Sequence, residues 1–291
     1  MLSEVDGLIT AANDEPGTVI VTAALSATAT EIWWVLTEPA LVKLWFGRLT
    51  PALRSGGSAR LDFGDGDFFT LEIIRLDAPK LVEYAWRFLG TGPLDTITWR
   101  IVPQDVGCLV VVTDKEPERS RESALLLREG WLDFARRLAE FVVTGKSSRY
   151  DWRREIDGSI ELPATKDQTW KRLFAPDLQG QWLPLGASVL ETGAGFTLAD
   201  NVEPSVFQLT DVTREPSSRL QFHLSHPSWL SQTSCTMELL SRRDHAILSI
   251  SHIGWEDISS DGAYQLHQRK RFCAFWVKVL HCARRLIEQG E

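Results

Sequence analysis

The chain repeats itself, and that restricts its fold more than any other feature. At an offset of 137 residues, without a gap, Leu25 meets Leu162, Ala27 meets Ala164, Thr28 meets Thr165 and Trp33 meets Trp170. The same offset pairs Leu36 with Leu173, Pro39 with Pro176, Leu41 with Leu178 and Trp45 with Trp182. Two tryptophan pairs in register are hard to obtain by chance. Near the end of each half the match returns at an offset of 145, where Leu127, Trp131, Phe134, Leu138 and Phe141 answer to Phe272, Trp276, Val279, Ala283 and Leu286. Both sets run with spacings 4, 3, 4, 3, one apolar stripe of an amphipathic helix. Two copies of a domain are expected, with a loop insertion accounting for the change of offset.

Each copy carries the same order of signals. A β-branched or apolar strand opens it (Thr18 to Ser26; Gly158 to Leu162). A short helix follows (Ala29 to Thr37; Lys166 to Phe174). A second helical turn starts at Pro39 or Pro176, where proline suits the first helical position, and ends in Trp45 or Trp182. Strand-like segments come next: Ser58 to Phe63, Phe68 to Leu76, Leu81 to Phe88, Asp95 to Pro103 and Cys108 to Asp114 in the first copy. In the second they are Ala187 to Leu190, Gly195 to Leu198, Val206 to Thr213, Arg219 to His226, Thr233 to Ser241 and Ala246 to His252. A long amphipathic helix closes each copy, Arg119 to Val143 and Gln265 to Gln289. The expected organisation is a tail over 1–17, a domain over 18–146, a linker within Thr144 to Asp151, and a second domain over 152–291.

Composition narrows the function. With 31 Lys and Arg against 39 Asp and Glu, the net charge is −8, which disfavours phosphate-driven nucleic-acid binding and a polybasic membrane-surface module. No stretch reaches the ~18 apolar residues of a membrane span, and the N-terminal residues lack the basic and apolar regions of a secretory signal. Cys108, Cys235, Cys273 and Cys282 form no CxxC and sit in apolar stretches, so reduced core thiols in a cytosolic protein are expected. Catalytic and cofactor motifs are missing: there is no GxSxG elbow, SxxK, Walker A or GxGxxG, and no metal-ligand spacing. No cofactor is expected. Gly64 to Asp67 (GDGD) reads as a solvated hairpin turn. All six histidines lie in the second copy; His223 and His226 face opposite sides of a strand. His252, at a strand end, is either a satisfied buried histidine or an acid, base or donor aimed into a cavity.

The quoted segments carry a resemblance. VTAALSATATEIWWVLTEPALVKLWFG and its echo IELPATKDQTWKRLFAPDLQGQWLPLG, with LVEYAWRF, LQFHLSH, LSISHIGWED and EGWLDFARRLAEF, resemble the START-like helix-grip (SRPBCC) superfamily. The branch is the one similar to the activator of the heat-shock chaperone's ATPase. The resemblance runs from about residue 18 onward. It implies an α+β fold of two tandem helix-grip domains, each a curved antiparallel sheet wrapped on a long C-terminal helix with two short helices. A cavity between sheet and helix is implied too.

Of twelve tryptophans, Trp45, Trp86, Trp99 and Trp131 in the first copy and Trp182, Trp229 and Trp276 in the second fall where that cavity is expected, large flat side chains that each bring one directional donor. The candidate ligand-binding residues are Trp45, Tyr84, Trp86, Trp99 and Trp131 in the first copy, and Trp182, Phe222, Leu224, His226, His252 and Trp276 in the second. Filling of the cavity by the same rings as plain core is the competing expectation. Three functions follow from the resemblance. The first is binding of a hydrophobic small molecule (polyketide, enediyne or lipid-like), as in natural-product biosynthesis or self-resistance. The others are polyketide aromatase/cyclase activity and a chaperone-binding module.

Overall fold

The computed structural model describes residues 9–12, 15–175, 177–183, 192–198 and 205–289, the side chains of 196 and 205 excepted. The described chain divides into two compact units. The first runs to Asp151; the second comprises Trp152 onward together with Asp65–Asp67 and Thr91–Pro93.

The first unit is one antiparallel sheet of eight strands: β1 (Ile9–Ala12), β2 (Thr18–Leu25), β3 (Arg48–Thr50), β4 (Ser58–Asp62), β5 (Phe68–Asp77), β6 (Leu81–Phe88), β7 (Asp95–Pro103) and β8 (Cys108–Lys115). Their order across the sheet is β1-β2-β8-β7-β6-β5-β4-β3. Only the β2–β8 neighbours are distant in sequence, and the connection from β2 to β3 carries the helices α1 (Ala29–Thr37) and α2 (Pro39–Trp45). Ile9–Ala12 fall in the stretch expected to be a tail; they pair with Ile20–Ala23 as an added edge strand. β3 was not expected either, because three residues carry too little alternation to register. The closing helix α3 (Arg121–Thr144) packs on β2 and buries Trp131, Ala135, Leu138 and Phe141. Its N-cap is Ser120, whose hydroxyl accepts from the Ser123 N–H. That cap starts the helix two residues later than periodicity alone suggests.

The second unit has a six-stranded antiparallel sheet: β9 (Ile156–Leu162), β10 (Gly195–Leu198), β11 (Ser205–Glu215), β12 (Arg219–Ser225), β13 (Thr233–Arg242) and β14 (His245–Ile253), ordered β10-β11-β12-β13-β14-β9. The short helices α4 (Lys166–Leu173) and α5 (Gln179–Trp182) follow β9. The closing helix α6 (Gly262–Glu288) packs on β9 and buries Phe272, Trp276, Val279 and Ala283. The strand expected at Ala187 to Leu190 lies outside the described residues. Both α1 and α4 begin with a reciprocal capping box, Thr28 with Glu31 and Thr165 with Gln168. The repeat thus extends to the hydrogen bonds that nucleate the helices.

The GDGD turn departs from expectation. Asp65 and Asp67 are buried, not solvated. They belong to the second unit, where Arg269, itself fully buried, donates to the Asp65 carbonyl at 2.6 Å and to the Asp67 carboxylate at 2.8 Å. Glycine is required at position 66: φ is +109°, and a Cβ there would meet Cys273 Cβ at 3.1 Å and the Arg269 guanidinium at 3.3 Å. Burial raises the Asp67 carboxyl above its ordinary range, and the charges of Arg269 and Arg153 oppose that rise.

Candidate functional site

In the first unit the five predicted residues come together. Tyr84 and Trp86 alternate on β6, Trp99 lies on β7, Trp45 ends α2 and Trp131 sits on α3. Trp86 stacks on Trp131 at 5.4 Å between ring centroids, and Trp99 meets Trp131 and Trp45 edge-on at 5.5 and 5.9 Å. Trp99 donates its indole N–H to the Tyr84 hydroxyl at 2.9 Å, and burial raises the Tyr84 phenol far above its usual range. Trp45 donates to the Val35 carbonyl. Phe46, Phe63, Phe69 and Phe134 complete the ring cluster. The free space beside Trp45, Tyr84, Trp99 and Leu61 is about 20 Å³. That is room for one water, against the roughly 300–1,000 Å³ of a small-molecule pocket. These rings pack on one another as core.

The polar side of that core was missed by sequence reasoning. Trp131 donates to Asp114 Oδ2 at 2.7 Å, and Arg119 donates to Asp114 Oδ1 at 2.6 Å. Arg119 also pairs with Asp95 at 3.0 Å. Asp114 and Arg119 are buried, and the Asp95 side chain is 21% exposed. Burial, then the charge of Asp114, pushes the Asp95 carboxyl up to about 7; burial raises Asp114 as well.

In the second unit Phe222 and Leu224 are buried on β12. The register carries Phe222 across Cys235 to His252 on β14. Trp276 on α6 donates to His252 Nδ1 at 3.0 Å, and His252 Nε2 lies 2.7 Å from Thr233 Oγ1. An indole nitrogen only donates, so Nδ1 is the acceptor and Nε2 carries the proton. His252 therefore donates to Thr233 and is no base toward it. Burial lowers its pKa to about 3, which keeps the ring neutral. Trp182 stands apart from this group, donating to the Leu173 carbonyl and packing edge-on against Phe174. His226 lies just past β12, accepting from the Ser228 N–H and packing on Phe207 and Trp229. Burial, then the charge of Arg271, lowers the His226 pKa. Trp229, in the aromatic wall with Phe207, Trp255 and Phe272, has a buried indole N–H with no hydrogen-bond partner among the described residues. All four cysteines are buried thiols, and burial raises Cys235 and Cys273 well above the usual range.

The two units hold one geometry at these positions. Ile97 pairs with Asp114 across β7 and β8 as Cys235 pairs with His252 across β13 and β14. Asp95, Asp114 and Trp131 thereby stand where Thr233, His252 and Trp276 stand in the second copy.

Known proteins resemble this chain in part and along nearly its whole length. The family described as Activator of Hsp90 ATPase homolog 1-like protein matches residues 26–142. A crystal structure of DynU16, "a putative protein in the dynemicin biosynthetic locus", is 33% identical over 93% of this chain and 99% of its own, with a TM-score of 0.85. The chain belongs to the Hsp90-ATPase-activator-homolog-1-like family. Other solved structures match less of this chain. CalU16 from Micromonospora echinospora is 21% identical over 47% of this chain and 87% of its own, with a TM-score of 0.40. MLL2253 from Mesorhizobium loti is 19% identical over 43% and 96%, also at 0.40. No curated protein matches the chain. Among the described residues no helix is long and apolar enough to cross a membrane.

Proposed function

We propose that the protein is a cytosolic binding protein for a hydrophobic, ring-bearing small molecule of polyketide or enediyne type, held by the second unit. The natural-product setting, biosynthesis or self-resistance, rests on the likeness to DynU16 along nearly the whole of both chains. The observation that carries the location is the Trp229 indole; the Trp86 indole of the first unit, also without a geometric partner among the described residues, sits beside the Asp95 carboxylate in a core of stacked rings. A buried N–H without an acceptor costs on the order of 1–3 kcal/mol, and an acceptor on a bound ligand removes that cost. The rings of Phe207, Trp255 and Phe272 around it suit a flat apolar partner. His226, which accepts at Nδ1, offers its Nε2 proton as a second donor at the same wall. Phe222, Leu224, His252 and Trp276 are the floor of this site. The first unit, filled by Trp45, Tyr84, Trp86, Trp99 and Trp131, serves as the rigid partner of the pair, and Trp182 braces the short helices.

Cyclisation of a polyketide needs a group that exchanges protons near neutrality. The residue best placed for it in the second unit, His252, is held neutral and in one tautomer, which favours binding over catalysis. The test is an NMR titration of protein labelled at the tryptophan indole nitrogens, using aromatic polyketides, an enediyne and fatty acids. Shifts of Trp229 before those of Trp86 and Trp131 support the reading. No shift with any compound, or shifts confined to the first-unit indoles, overturns it.

A further inference from the structure

Two carboxylates of the first unit, Asp95 and Asp114, meet one buried cation, Arg119, at the N-terminal end of α3, with Glu116 nearby. Both oxygens of Asp114 already accept from N–H donors, Arg119 and Trp131. Glu116 accepts from the Glu118 N–H at 2.9 Å. Lys115, the next cation along the chain, pairs with Glu15 at 4.0 Å instead. One positive charge does not neutralise the two aspartates that meet it, Asp95 and Asp114, and burying excess charge is costly. A retained proton removes the excess, and the geometry assigns it to Asp95, since Asp114 is committed as an acceptor on both oxygens.

The cluster is also the place where the closing helix is fastened. Arg119 lies immediately before the Ser120 N-cap of α3. It reaches β7 through Asp95, β8 through Asp114, and the entry to β2 through the Gly17 carbonyl at 2.9 Å. Gly17 takes φ +71°, and a Cβ there would fall 2.1 Å from the Glu116 carbonyl oxygen, so this joint is built for close approach. Trp131, one face of the aromatic core, hangs from the same aspartate. Trp86, opposite Asp95 in the register, flanks it on the β6 side.

We propose that Asp95, Asp114 and Arg119 form a proton-operated latch, in which a proton held by Asp95 keeps α3 on the sheet of the first unit and its loss loosens the helix. The direction of the Asp95 shift, caused first by burial and then by Asp114, agrees with the charge count. The second unit has no such latch at the matching positions, where Thr233 and a neutral His252 carry no charge.

The test uses the full chain. Carboxyl-carbon NMR of the wild type follows Asp95 from pH 4 to 9, and amide exchange in the first turns of α3, corrected for its intrinsic pH dependence, gives the opening equilibrium. Asp95 is expected to titrate near neutrality. Opening is expected to become about tenfold more favourable per pH unit between the ordinary carboxylate range and that midpoint, levelling off above it. Asp95→Asn, a neutral copy of the protonated side chain, is expected to abolish the dependence. Titration of Asp95 below pH 5, or an unchanged dependence in Asp95→Asn, overturns the latch. The wild-type titration decides the matter even if the variant does not fold.

Discussion

Trp131 and Trp276 hold the same station on the closing helices of the two units, yet they donate to opposite kinds of group. The first gives its proton to a buried aspartate tied to an arginine, the second to a buried neutral imidazole. Beside them, Asp95 faces Thr233 across the duplication. The shape of the station has been kept and its charge has not. Each station seats one large ring of the closing helix against the sheet, and the acceptor beneath it differs, charged in one copy and neutral in the other.

The largest test of this comparison removes the ring itself. Trp131→Ala and Trp276→Ala each create a cavity and are expected to cost about 3–5 kcal/mol by denaturant unfolding. Trp131→Ala is expected to cost more, because it leaves a buried carboxylate short of a donor where Trp276→Ala leaves a neutral ring. Because the described chain divides into two compact units, two transitions are to be fitted. Equal losses, or a greater loss from Trp276→Ala, would break the charge distinction.

Acidity separates the units in direction. His252 has its pKa lowered in the fold to about 3, so between pH 3 and the ordinary histidine value of about 6.5 the unfolded chain binds the extra proton. Stability of the second unit is present above that range and lost as pH falls through it. Asp95 is shifted the other way, so the folded first unit holds the extra proton between about pH 4 and 7. Its stability is present at the acid end and lost as pH rises. Each slope is at most about 1.4 kcal/mol per pH unit, and the partial exposure of Asp95 reduces its share. Asp67, raised by burial in the second unit, opposes the His252 slope there, so with rising pH from 4 to 8 the thermal midpoint of the first unit, followed by resolved indole signals, is expected to fall while that of the second rises or falls less. An equal fall in both units would falsify the assignment.

A smaller change sharpens the second station. Trp276→Phe keeps most of the ring and deletes the donor to His252 Nδ1, at an expected cost of about 1 kcal/mol. Released from that constraint, His252 is expected to populate both neutral tautomers in place of the Nε2–H form, read from its ring nitrogen shifts. A tautomer unchanged by the variant would show that Thr233, and not Trp276, fixes it.

Much of the architecture is legible in the chain, because it is written in residues that recur. Trp45 with Trp182 and Trp131 with Trp276 mark the turns and closing helices, and their spacing gives the helix-grip plan. The polar site is not legible in the same way. Asp95 and Asp114 stand at strand ends, where acidic residues are usually solvated, and Arg119 sits in a turn; only the folded sheet brings the three together. A signal was nonetheless present: carrying the repeat through the strands at an offset of 138 sets Asp95 on Thr233 and Asp114 on His252. Asp65 and Asp67 were misread for a related reason. Turn composition reports local backbone, and it says nothing of a buried arginine two hundred residues away. β1 and β3 escaped because four and three residues are too few to show a period.

The smallest difference between the copies lies in their capping boxes, which are otherwise alike. Thr28→Ala and Thr165→Ala are each expected to cost about 1 kcal/mol near neutral pH. Their partners differ, Glu31 in one and Gln168 in the other. Hydrogen bonds from Thr28 hold the Glu31 carboxyl below its ordinary value, so its contribution is present above the unfolded carboxylate range and fades as pH falls through the lowered value. The cost of Thr28→Ala is therefore expected to shrink in acid, while that of Thr165→Ala, facing an amide that does not titrate, stays level. Unfolding of both variants at pH 3 and pH 7 measures it. Parallel behaviour would mean that the carboxylate adds nothing to its cap beyond what the amide supplies.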